Sequence, residues 1–128
     1  MTWSKTERWL VTLIALHSMA VGAGLLLLPQ WALNFGGWGH AEPLFFIWQA
    51  GVFHFVVAAG YLLEYRRHGT VTFLVMTKSM ATVFLFASAL LSHQPWVVWF
   101  SGLGDGAMGL CAFLAHRIAA GARKNRPL

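Results

Sequence analysis

His17, His54, Lys78 and Asp105 each sit inside a different long apolar stretch of the chain. Imidazole, ammonium and carboxylate groups in such surroundings exchange protons, hold charged or polar ligands, or ligate metals. Measured from the basic residues that flank each stretch on one side, all four lie roughly 9 to 12 residues in. At helical rise that is about 13 to 18 Å, near the middle of a bilayer. Ionisable side chains at that depth are costly unless they face the interior of a bundle and meet a partner. Spacing suggests the partners. The connection Ser92 to Pro95 is short, so the stretches on either side are antiparallel neighbours, with Lys78 and Asp105 about one helical turn apart in depth. A lysine stem spans that gap. The pair reads either as an ion pair that holds helix register or as a proton- or ligand-responsive site.

The two histidines read differently. Gly51, His54, Ala58 and Tyr61 recur at spacings of three and four, as do His17, Val21 and Gly24, so each set is expected to form one interior stripe. Facing histidines in a bundle are candidate axial ligands of a haem iron, with hydrogen-bonded packing residues as the alternative. No His-x-x-x-His or Glu-x-x-His spacing marks another metal site. Gln49, in the same stretch as His54, is expected to bond across helices. Glu7, Glu42 and Glu64 fall near the ends of the stretches and are expected to be solvated or interfacial, while His40, His68, His93 and His116 lie at the edges and are assigned no chemistry. Cys111 stands alone, which excludes an internal disulfide and a cysteine metal site; it is expected to pack as a small residue. No nucleophile constellation, phosphate-binding glycine loop or paired carboxylate motif is present, which argues against hydrolytic chemistry.

The elements that must position these residues are set by composition. In 128 residues, 58% are hydrophobic and only 10% charged, with mean hydropathy +0.61. A soluble domain of this size could not hide so much apolar surface. Four helices of spanning length are expected at about 9–28, 43–63, 71–91 and 96–118. The fold class is therefore all-α: a polytopic integral membrane four-helix bundle, one domain over residues 1–128. The first stretch is read as a retained helix because its run of about 20 residues exceeds a signal-peptide core and no small-x-small cleavage site follows. Pro29, Pro43 and Pro95 lie at or beside helix ends, where a missing amide donor does least harm. In the fourth helix Gly102, Gly106 and Gly109 share a face and let another backbone approach closely. The connection Gln30 to Glu42 is rich in glycine and aromatics and is expected to form a short interfacial helix or re-entrant turn.

Charge orients the helices. Eight of the nine Lys and Arg residues fall in three places: Lys5 and Arg8, then Arg66 and Arg67, then Arg117, Arg123, Lys124 and Arg126. With four spans these places share one side, and the other two connections hold no Lys or Arg, so both termini are expected in the cytoplasm. Topology and anionic lipid headgroups account for the net charge of +5, and nucleic-acid binding is not needed to explain it. Trp3 and Trp9 at one edge, and Trp31, Trp38, Trp96 and Trp99 at the other, suit headgroup level. Trp48 is the exception.

The pattern Gly51-x-Phe53-His54, then Gly60-Tyr61-x-x-Glu64-Tyr65, Thr77-Lys78, Ser101-Gly102 and Gly104-Asp105-Gly106 resembles the small four-helix bacterial inner-membrane proteins of the DoxX-like kind. The likeness covers most of the chain through short, apolar motifs. It implies a compact bundle in the bacterial inner membrane that serves with membrane redox systems. Ala15-Leu16-His17, Gly24-Leu25, Leu28-Pro29 and Lys78 are loosely similar to the four-helix protoporphyrinogen oxidase, which implies roles for a first-helix histidine and a third-helix lysine; that family's helix-end motifs are missing here. Three expectations follow. The first is a non-enzymatic subunit or binding module, with partner membrane subunits or a second copy, whose cluster of His17, Gln49, His54, Lys78 and Asp105 cradles a lipid-like ligand such as a quinone. The second is a haem-linked oxidoreductase using His17 and His54. The third is a small proton-coupled transporter using Asp105.

Overall fold

The computed structural model describes residues 3–124. They form α1 (Trp3–Leu27), α2 (Pro29–Gly36), α3 (Phe45–His68), α4 (Thr72–Leu91) and α5 (Trp96–Lys124), with no strand among the described residues. The expected positive charge at Arg126 lies outside the described residues. Four helices, α1, α3, α4 and α5, are long and apolar enough to cross a membrane.

α1, α3 and α5 each run past the expected bounds at their basic end, because the polar residues that flank those apolar runs are themselves helix formers, while α4 keeps within its expected bounds. Lys5 and Arg8 are within α1, Arg66 and Arg67 within α3, and Arg117 to Lys124 within α5. The cationic last turns of α3 and α5 also lie at the negative end of the helix dipole. Gly69 stops α3 in the left-handed region, φ 64°, with its amide donating to the Tyr65 carbonyl. The Gln30 to Glu42 connection contributes α2, opened by Pro29 and closed by Gly37 at φ 91°. Trp31 stacks on Phe35 at 5.3 Å, and Phe35 meets Trp96 edge-on at 5.5 Å, tying α2 to the start of α5.

α1 lies along α3 and α4 along α5, and the two pairs meet chiefly through α1 and α5. Glycines set both intra-pair approaches. A Cβ on Gly22 would lie 2.8 Å from the Gly51 carbonyl oxygen, and one on Gly51 would lie 3.0 Å from that of Gly22. Gly24, expected on the interior stripe with His17, has no neighbour within 4 Å of a Cβ position. In the second pair Gly109 faces Lys78, Gly106 faces Thr82, and Gly102 faces Leu85 and Phe86. This descending register is that of antiparallel helices.

The core is small: Val11, Ile14 and Ala15 of α1, Ala58 and Tyr61 of α3, Val71 and Leu74 at α4, and Ala112 of α5. Most of the remaining apolar surface points outward, with Leu27, Val83, Phe100, Leu90 and Leu91 each more than 60% exposed. Exposure on that scale is untenable in water and natural against acyl chains.

Glu64, expected to be solvated or interfacial, closes the turn between the pairs. Its carboxylate accepts from the Thr70 hydroxyl and from the Phe73 amide, both at 2.9 Å. The second bond satisfies an orphan donor in the first turn of α4, and the negative charge suits that helix end. Cys111 is exposed rather than packed inside.

Candidate functional site

α3 and α4 touch only sparsely, and the space between them is a cavity of about 300 Å³. Its walls are mainly apolar, from Ala50, Phe53 and Val57 of α3 and Ala81 of α4. The floor is polar. Lys78 of α4 and Asp105 of α5 meet there, with Ser18 of α1, His54 and Tyr61 of α3, and Thr77. An apolar cleft with a few convergent polar groups is the usual form of a small-molecule site.

The Lys78 ammonium donates to Asp105 Oδ1 at 2.5 Å, with 6% and 18% of the respective side chains accessible. The glycine seam produces this contact. Gly109 offers no side chain, so the Lys78 Cβ packs against its backbone and the lysine stem runs one turn along α5 to Asp105. Lys78 and Asp105 thus belong to one helix pair, and the second pair adds Ser18 and His54.

Two of those added groups are unsatisfied. Ser18, 1% exposed, has a hydroxyl without a hydrogen-bond partner, and so does His54 Nδ1. Buried polar atoms are nearly always paired, and both orphans belong to residues that line this one cavity. The ammonium keeps donors beyond the one that Asp105 uses. Ser18, His54 and Lys78, drawn from both helix pairs, therefore border one space.

The other expected site residues fall elsewhere. His17 is exposed and does not line the cleft. The buried face of α1 runs Glu7, Val11, Ile14, Ala15, Ser18 and Gly22, so the interior stripe is one residue out of phase with His17, Val21 and Gly24. A step of one residue turns a helix by about 100°, enough to move a side chain off the buried face. The contact of Gly22 with Gly51 sets that phase. On α3 the stripe holds as expected, with Gly51, Ala58 and Tyr61 buried and His54 half-buried. Gln49 is exposed rather than turned toward another helix, because it lies about 200° around α3 from Gly51. A haem held between His17 and His54 is not favoured, since only His54 lines the cleft.

A second polar cluster escaped the sequence reading. Glu7, expected at a solvated end, is 1% exposed. His116 Nδ1 meets its Oε1 at 2.6 Å, and the Arg123 guanidinium lies 3.8 Å from its Oε2. One signal was available in the chain: Glu7 and Ser18 on α1, like Asp105 and His116 on α5, are eleven residues apart, close to three full turns and hence on one face. Among the described residues no group of three or more His, Cys, Asp or Glu is arranged to hold a metal ion.

Comparison with protein-family models, with curated proteins and with solved structures finds no match to this chain.

Proposed function

We propose that this chain is a small multi-pass protein of the bacterial inner membrane, both termini in the cytoplasm, that binds a lipid-soluble ligand with a carbonyl-bearing head group, of the quinone kind. It acts as a binding module or subunit rather than as an enzyme, and forms a four-helix bundle with the cleft between α3 and α4 open to the acyl chains. One observation carries the reading: a mainly apolar cavity of about 300 Å³ is lined by Lys78, Asp105, Ser18 and His54, and the last two carry buried polar atoms without partners, Oγ and Nδ1. Carbonyl oxygens are acceptors, and the Ser18 hydroxyl, the Lys78 ammonium and a protonated His54 nitrogen are donors. The apolar walls accept the tail. The resemblance to DoxX-like proteins agrees with a place beside membrane redox enzymes.

The test is binding of decylubiquinone to protein in lipid nanodiscs, read by quenching of tryptophan fluorescence. Saturable quenching is expected, weakened about tenfold, or about 1.4 kcal/mol, by His54→Ala or Ser18→Ala. Quenching equal to that of a bundle of unrelated sequence in the same nanodiscs would exclude the reading.

A second reading, a proton-coupled transporter, is favoured by one feature. Asp105 also lines a groove of about 440 Å³ between α4 and α5, with Ser79, Thr82 and Phe113, so the same carboxylate borders two spaces. Loss of substrate uptake by proteoliposomes of the Asp105→Asn variant would support it.

A further inference from the structure

Glu7 is the most deeply buried acid of the described chain and has no part in the cleft. Its surroundings suit proton traffic better than anchoring. One carboxylate oxygen is joined to His116, whose side chain is 24% accessible, while the other, Oε2, accepts no hydrogen bond. Arg123, at 3.8 Å, is itself half exposed. Tyr65 of α3 hydrogen-bonds the Glu7 side chain, with Arg123 and Arg8 also close enough to act on that tyrosine. A residue with one arm on a solvent-reaching imidazole and a tyrosine hydroxyl within reach is poised to take a proton and pass it on.

Hydroxyl groups lead from there to the cleft. Tyr65 faces Glu7 and packs on the same core as Tyr61, one turn further along α3. That step is about 6 Å of helical rise. Tyr61, 1% exposed, lines the cleft beside Thr77, Lys78 and Asp105.

We propose that the Glu7–His116 pair is the proton-exchange site of the cleft, connected to Asp105 and Lys78 through the hydroxyls of Tyr65 and Tyr61. In each transfer His116 takes a proton from solvent at Nε2, the resulting imidazolium gives its Nδ1 proton to Glu7, and a flip of the ring restores the starting tautomer. Glu7 passes a proton to Tyr65, a water molecule between the two hydroxyls relays one to Tyr61, each carrier releasing one proton for each it accepts, and one proton reaches the Asp105 carboxylate. The reverse sequence empties the cleft. The proposal is independent of which ligand the cleft holds.

Hydrogen–deuterium exchange tests it without a ligand. Isotopically labelled protein in phosphatidylglycerol-containing nanodiscs is moved into heavy water, and exchange at the Lys78 ammonium and the His54 ring is followed by NMR. Tyr61→Phe removes one oxygen and keeps the ring that fills the core; Glu7→Gln keeps the shape of the side chain. Each is expected to slow exchange about tenfold or more. A purely structural role predicts the opposite sign, because a loosened bundle exchanges faster. Exchange that is unchanged or faster in Tyr61→Phe overturns the proposal, and that variant decides the matter if Glu7→Gln does not fold. Failure of decylubiquinone to bind bears on the cleft's ligand alone.

Discussion

At the scale of the residue, the molecule turns on how buried polar groups are matched. Lys78 and Asp105 satisfy each other across the α4–α5 seam. Removing one partner leaves the other charge buried, which costs about 3–5 kcal/mol, whereas replacing both by apolar residues of similar volume is close to neutral. Lys78→Met should therefore lower thermal stability in detergent sharply, and adding Asp105→Leu should restore most of it. A double variant no more stable than the single one would contradict this. Ser18 is the reverse case: its hydroxyl has no partner, so Ser18→Ala should leave stability unchanged within about 0.5 kcal/mol or raise it slightly while weakening ligand binding. The ion pair was legible in the chain from depth and a short connection. Ser18 was not, because a serine in an apolar helix looks the same whether it faces lipid, packing or a cavity.

At the scale of the element, contact between backbones fixes how each helix is rotated. Gly22→Leu or Gly51→Leu would force side-chain atoms into the facing backbone, where even a Cβ lies 3.0 Å or less from a carbonyl oxygen or a leucine carbon. Each should destabilise by about 1–3 kcal/mol or more. Gly24→Ala and Gly104→Ala meet nothing within 4 Å and should be neutral or stabilising by about 0.5–1 kcal/mol, as alanine is the better helix former. Thermal unfolding of the four variants separates the two classes, and equal effects would refute the assigned helix phases. The same contact explains why His17 turns outward. Glycines at 22 and 24 fit an interior stripe equally well by periodicity, and only the neighbouring helix chooses between them. The α4–α5 seam was easier to read, since Gly102, Gly106 and Gly109 repeat on one face. Glu64 also acts here: Glu64→Ala should cost about 1 kcal/mol by uncapping α4.

For the whole molecule, two helix pairs join along α1 and α5 and part between α3 and α4. The parting makes the cleft, and Glu64 holds the pairs together at the turn below it. The basic residues gather at the same ends of the helices, so the proposed topology predicts cytoplasmic termini. Alkaline phosphatase fused after residue 124 should be inactive, and inserted near Gly39 it should be active; the reverse pattern would invert the proposed orientation.

Spanning length, the number of long helices and the pairing of Lys78 with Asp105 followed from the chain alone, because hydrophobic length and short connections are local quantities. The cleft, the inward turn of Ser18, the outward turn of His17 and the burial of Glu7 against His116 were decided by tertiary structure. Each depends on the rotation of one helix against another, and a helix that is apolar almost all round carries little information about its own rotation until a neighbour's backbone comes close enough to select it.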